Sequence, residues 1–125
     1  MKGLDEIEKH KDEITGKIVF FNGPMDPTLI ETFSAYGAAV SQRFSGAAQT
    51  GPYGAKAIIV RSMTQSLDDI PNTGSFRYKA GVKALPAMAI STKDANLLSQ
   101  LLKDQADLRI YHEKLCRDAS KDSVL

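Results

Sequence analysis

Apolar positions along the chain fall into short runs separated by polar stretches rich in glycine and proline, a pattern that predicts a mixed helix-and-strand domain. Lys17 to Phe21 joins β-branched and aromatic residues and reads as a central strand, broken afterwards by Asn22-Gly23-Pro24 and Asp26-Pro27. Ala55 to Val60 is too short and too apolar to be anything but an interior strand. Pro86 to Ile90 predicts a third strand. Leu108 to about Cys116 predicts a last one, with Leu108 and Ile110 alternating against Arg109 and Tyr111. Helical spacing fills the gaps. Leu4 to Lys11 sets Leu4 and Ile7 on one face and is stopped by Gly16. Thr28 to Tyr36 can hold a helical turn, and Gly37 to Gln49 puts Val40, Phe44, Ala47 and Ala48 on one face. Ser91-x-x-Asp94 resembles a capping box, ahead of a helix carrying Leu97, Leu98, Leu101 and Leu102.

The stretch from Gly46 to Ser62 is the most informative. A helix of alanine and glycine can lie close against a sheet, and here it turns directly into the interior strand. Beyond it, Met63 to Leu85 is a long segment of Ser, Asp, Pro, Asn and Gly with little periodicity, and excursions of that length inside a compact domain are usually functional or partly structured as irregular strands. One domain over residues 1–116 is expected, followed by a polar tail, 117–125.

Composition narrows the function classes. Sixteen basic and fifteen acidic residues leave a net charge of +1, with no electrostatic footprint for nucleic acid or an anionic membrane. The apolar runs fall far short of a membrane span, and the charged residues after Met1 do not read as a secretory signal. Cys116 is the single cysteine, so an internal disulfide is impossible, a condition compatible with either side of a membrane.

No catalytic constellation is recognisable. The histidines, His10 and His112, lie at opposite ends of the chain. His10 is a solvated residue between lysines, and His112 is a structural residue in phase with Leu108 and Ile110. Cys116 lacks the general base that a nucleophile needs. Asp68-Asp69 suits a solvated turn. Gly46-x4-Gly51 lacks the Lys-Ser/Thr of a phosphate loop. The long excursion is the better candidate: Arg61 and Ser62 leave the second strand, and Asn72-Thr73-Gly74 and Arg77-Tyr78 follow. An arginine there can hold a carboxylate through two parallel hydrogen bonds.

Taken in order, Gly16 to Asn22, Gly54 to Ser62, Pro71 to Gly74 and Leu85 to Ser91 give the chain a resemblance to a family. From about Leu4 to Cys116 it resembles a protease-associated domain, of the type inserted in di-zinc exopeptidases related to plasma glutamate carboxypeptidase. The resemblance implies an α+β protease-associated fold, a β-sandwich or open barrel of short strands flanked by two main helices. It implies no cofactor in this domain and no catalytic residue, with zinc held by a separate catalytic peptidase domain of the same polypeptide. The domain would cover the active-site cleft, shape access and recognition of peptide substrates, or mediate subunit contacts. Two departures stand out: the family often has histidine where this chain has Asn72, and an edge strand that usually precedes the first helix is missing. The expectation is a fragment of a larger secreted, periplasmic or cell-surface peptidase.

Arg61, Ser62, Asn72, Thr73, Gly74, Arg77 and Tyr78 are then the expected substrate-binding or cleft-bordering residues. The alternative is a free-standing protein- or ligand-binding module, in which an exposed sheet edge favours a homodimer. A small doubly wound α/β enzyme ranks third, because Asn22-Gly23-Pro24 after the first strand suits a turn better than a phosphate site.

Overall fold

A computed structural model describes residues 1–26, 28, 31–78, 80–81, 84–105 and 108–110. Three short strands, β1 (Ile18–Phe21), β2 (Ala57–Arg61) and β3 (Ala87–Ile90), form one sheet in the order β1-β2-β3, with both pairings parallel. The helices are α1 (Lys11–Ile14), α2 (Thr32–Thr50) and α3 (Thr92–Asp104), with 3-10 turns at Leu4–Glu6 and Gly51–Tyr53. The α+β class holds. Among the described residues the strands make a single parallel sheet, not a layered sandwich or a closed barrel. The connections explain this: β1 reaches β2 through a 19-residue helix, and β2 reaches β3 through the long excursion. Crossovers of that length return the chain in the same direction, whereas tight turns would reverse it.

The apolar run of β2 lies at the centre of the sheet, where Ala57, Ile58, Ile59 and Val60 are all buried. On one face, Val19 opposite Ile58 and Phe21 opposite Val60 lie against α2. That helix begins at Thr32, absorbing the predicted turn, and its buried positions include Ala35, Ala39 and Ala47. Gly46 sets the approach: a Cβ there would lie 2.8 Å from Cε2 of Phe21 and 3.4 Å from Cδ1 of Ile58. Phe44, expected on the apolar face, is 38 % exposed, because the smallest residues and not the largest face the sheet.

Two buried polar residues on α2 reach the neighbouring loops. The Gln42 side chain accepts from the Gly23 N–H at 3.1 Å and donates to its carbonyl at 2.7 Å, acting as a strand partner for the segment leaving β1. Arg43 donates from Nη2 to the Tyr36 hydroxyl and lies 5.5 Å from the centre of that ring.

The predicted opening helix is replaced by the 3-10 turn and the short α1. Ile7 and Ile14 are buried, and the charged residues between them give no continuous apolar face to sustain a longer helix. Gly16 (φ +74°) ends this region and Gly54 (φ +78°) turns the chain into β2; the Gly16 N–H donates to the Gly54 carbonyl at 2.8 Å. Met1 lies against the outer edge of β1: its nitrogen donates to Phe20 O and its carbonyl accepts from Asn22 N–H, both at 2.7 Å. This is the bonding pattern of a parallel pairing opposite Phe21.

The predicted cap of α3 is present, with Ser91 Oγ accepting from Asp94 N–H at 3.0 Å. Its leucines are less buried than the stripe suggests: Leu97 is 56 % exposed, and Thr92 and Ala95 are the buried positions. The final predicted strand falls mostly outside the described residues, as do His112 and Cys116; Leu108, Arg109 and Ile110 carry no strand.

The excursion after β2 contains no regular element among the described residues, but it is fastened at several points. Ser62, 2 % exposed, donates from Oγ to Ile90 O and accepts from Asn72 N–H, both at 2.7 Å. Thr92 Oγ1 donates to Ser66 O at 2.9 Å and accepts from Asp68 N–H at 2.9 Å. Asp69 pairs with Lys93 at 3.0 Å.

Two stability predictions follow from this packing. Gly46→Val should cost about 2 kcal/mol through overpacking, whereas Gly37→Ala, on an exposed stretch of the same helix with nothing within 4 Å, should add up to about 1 kcal/mol. Urea unfolding of both variants checks the contrast, and equal midpoints would remove the close-approach argument. Ser62→Ala should lose about 1–3 kcal/mol and the exchange protection of the Asn72 amide together; retention of that protection would show that another group holds the loop.

Candidate functional site

In an open parallel sheet the carboxyl ends of the strands lie along one edge, where loops and helix starts can converge on a ligand. Here β1 ends at Phe21, β2 at Arg61 and β3 at Ile90, so Asn22, Arg61 and the start of α3 come to the same edge. Arg61 Nη1 donates to Asn22 Oδ1 at 3.2 Å and to Asn96 Oδ1 at 2.7 Å. Asn22 Nδ2 in turn donates to Ser99 Oγ at 3.3 Å. Strand ends and one face of α3 thereby assemble a polar cluster around a half-buried guanidinium.

The electrostatics of this cluster are one-sided. Both oxygens that hold Arg61 belong to neutral amides, and among the described residues no carboxylate pairs with it. Partial burial draws its pKa below the ordinary arginine value, but the group remains a cation at neutral pH. With Nη1 engaged, the Nε–Nη2 edge has no hydrogen-bond partner among the described residues, and that edge matches a carboxylate.

The other expected site residues are distributed along the excursion. Ser62 is a buried fastening, joined through its hydroxyl to Asn72. Thr73 is exposed. Gly74 lies over the Arg43 guanidinium, where a Cβ would be 2.5 Å from Cζ, so no side chain fits there without moving the arginine. Arg77 donates its N–H to Phe44 O at 2.9 Å and sets its guanidinium 5.7 Å from the centre of the Phe44 ring. Tyr78 donates its hydroxyl to Leu85 O at 2.8 Å. Ser62 and Asn72 are therefore brought together, while Gly74 and Arg77 lie along α2 and only Arg61 belongs to the strand-end cluster.

Sequence reasoning passed over Asn22, Asn96 and Ser99. The signal was the three-residue spacing of Asn96 and Ser99, which puts both on one face of α3, together with an asparagine directly after a strand. Among the described residues no group of three or more His, Cys, Asp or Glu is arranged to hold a metal ion. No helix of the described residues is long and apolar enough to cross a membrane.

No family model matches the chain. It is similar to Carboxypeptidase Q of Bos taurus, 32 % identical over 98 residues, which is 78 % of this chain and 19 % of that protein. Carboxypeptidase Q of Xenopus laevis is 34 % identical over 96 residues, 77 % of this chain and again 19 % of the relative. Among solved structures, the Peptidase M28 precursor from Shewanella amazonensis superimposes with a TM-score of 0.69 at 35 % identity, covering 74 % of this chain and 21 % of that one. The chain thus spans about a fifth of the length of the curated relatives it matches, and it is homologous to one stretch of Carboxypeptidase Q and of an M28 peptidase.

Proposed function

We propose that this chain is a non-catalytic accessory domain, of the protease-associated type, in a zinc-dependent aminopeptidase or carboxypeptidase. It covers part of the active-site cleft and contributes to substrate access, recognition or subunit contacts. The observation that carries the reading is the partial match: most of this chain aligns with only about a fifth of peptidases that are much longer. In this reading, as the resemblance implies, zinc and the hydrolytic step belong to a separate catalytic domain of the same polypeptide; among the described residues no group of three or more His, Cys, Asp or Glu is arranged to hold a metal ion. The parent protein is secreted, periplasmic or exposed at the cell surface in this reading.

At the strand ends, Arg61 is the residue that meets a peptide substrate. Its two amide partners hold the guanidinium at the strand ends, and its free edge offers two parallel N–H donors to a substrate carboxylate. The remaining residues of the excursion border the cleft and hold the loop in shape. A second reading, a homodimer formed by strand pairing, draws on β3 being an edge strand among the described residues; size-exclusion chromatography at increasing concentration tests it.

In the full-length peptidase, Arg61→Ala should raise KM by about tenfold or more, the weight of a charge-assisted pair of hydrogen bonds, with kcat and bound zinc nearly unchanged. Arg61→Lys keeps the charge but not the fork and should recover only part of that loss. Kinetic constants of Arg61→Ala equal to those of the wild type would remove Arg61 from substrate binding.

A further inference from the structure

A second place in the molecule is chemically distinct from the strand-end cluster. Between the start of α2 and the excursion lies an open cavity of about 420 Å³, lined by Met25, Phe33, Tyr36, Met63 and Asn72, with Thr64 to Ser66 at its side. Its volume lies within the range of small-molecule sites. Met25 and Met63 are buried, and thioether side chains adapt their shape to whatever packs on them. Phe33, by contrast, is 90 % exposed at the rim. An aromatic ring left almost wholly in water beside an apolar hollow is placed to cover an apolar guest.

Behind Tyr36, and not itself lining the cavity, lies Arg43, which is 8 % exposed and has no carboxylate partner among the described residues. Its Nε is buried without a hydrogen-bond partner. Its Nη2 donates to the Tyr36 oxygen, so the hydroxyl proton of Tyr36 must be given elsewhere, and no acceptor for it occurs among the described residues. A phenol that accepts from a guanidinium is a strengthened donor, because the positive charge behind it polarises the O–H bond. Tyr36 therefore carries the influence of a buried, uncompensated cation to the cavity wall, where Asn72 adds an amide.

We infer that this cavity binds the C-terminal residue of a peptide bearing an apolar side chain, with the carboxylate accepting from Tyr36 and Asn72 and the side chain resting on Met25, Met63 and Phe33. A free amino acid fits less well, since its ammonium would approach the field of Arg43. The inference rests on this chain's own groups and holds whatever the parent protein does.

The test uses the 125-residue chain with carbon-13-labelled methionine methyl groups. Met25 and Met63 report on the cavity, while Met1 and Met88 report on the two outer strands. Titration with N-acetyl-L-leucine should shift the Met25 and Met63 methyl signals with a roughly millimolar Kd and leave Met88 in place. N-acetyl-L-leucine amide, which lacks the charge, should bind about tenfold more weakly, and Tyr36→Phe should weaken the acid by a similar factor. Arg61→Ala should leave the titration unchanged, which separates this site from the strand-end cluster. Absent shifts, equal shifts with the amide, shifts confined to Met1 or Met88, or loss of the response in Arg61→Ala would each overturn the inference. Should Tyr36→Phe lose the dispersed spectrum of a folded chain, the acid-against-amide comparison in the wild type decides.

Discussion

The structure depends on how closely α2 lies on the sheet. With a hydrogen in place of a side chain at Gly46, the helix backbone comes down onto the Phe21 ring and the tip of Ile58. A helix faced with Ala35, Ala39, Gly46 and Ala47 buries little apolar area of its own. Its contribution is proximity: where Gly46 meets Phe21 and Ile58 the large side chains come from the sheet, and no side chain of the helix holds the two layers apart there. The same closeness lets Gln42 and Arg43 reach past the helix to Gly23 and Gly74, so that the loops on either side are hydrogen-bonded to or packed against α2.

That constraint also explains what was legible in the sequence. The alanine- and glycine-rich run leading into Ala57–Val60 announces a helix packed on an interior strand, and both are found there. The three strands and the Ser91 cap were equally readable, since each depends on residues adjacent in sequence. The strand directions were not. Parallel pairing is decided by the route of the connections, and no local pattern around β1 or β3 encodes it. The opening helix failed for a related reason: Leu4 and Ile7 satisfy helical spacing over one turn, but the chain then runs into charged residues with no buried face.

The candidate site was partly legible. Arg61 stood out as a cation at the end of a buried strand, and it lies at the strand-end edge as expected. Its partners could not be found by proximity in sequence, because Asn22 and Asn96 are separated from it by 39 and 35 residues. Nor did the sequence show the partners of Ser62, Arg77 and Tyr78, whose Oγ, backbone N–H and hydroxyl fasten the loop to Ile90, Phe44 and Leu85. A polar residue in an excursion serves either a ligand or the loop itself, and only the partner of its hydrogen bond separates the two.

The parallel sheet has unequal ends. At the amino end, backbone bonds from Gly16 to Gly54 and from Lys56 to Lys17, with Thr15 Oγ1 on Tyr53 O, stitch the chain to itself without using a charged side chain. At the carboxyl end a side-chain cluster of Asn22, Arg61, Asn96 and Ser99 stands beside the backbone bond from Ser62 to Ile90. A main-chain seam is indifferent to residue identity, whereas a side-chain cluster is rewritten by a single substitution. A substitution at the carboxyl rim can therefore rewrite the side-chain cluster there while the backbone bonds of the opposite rim stay in place.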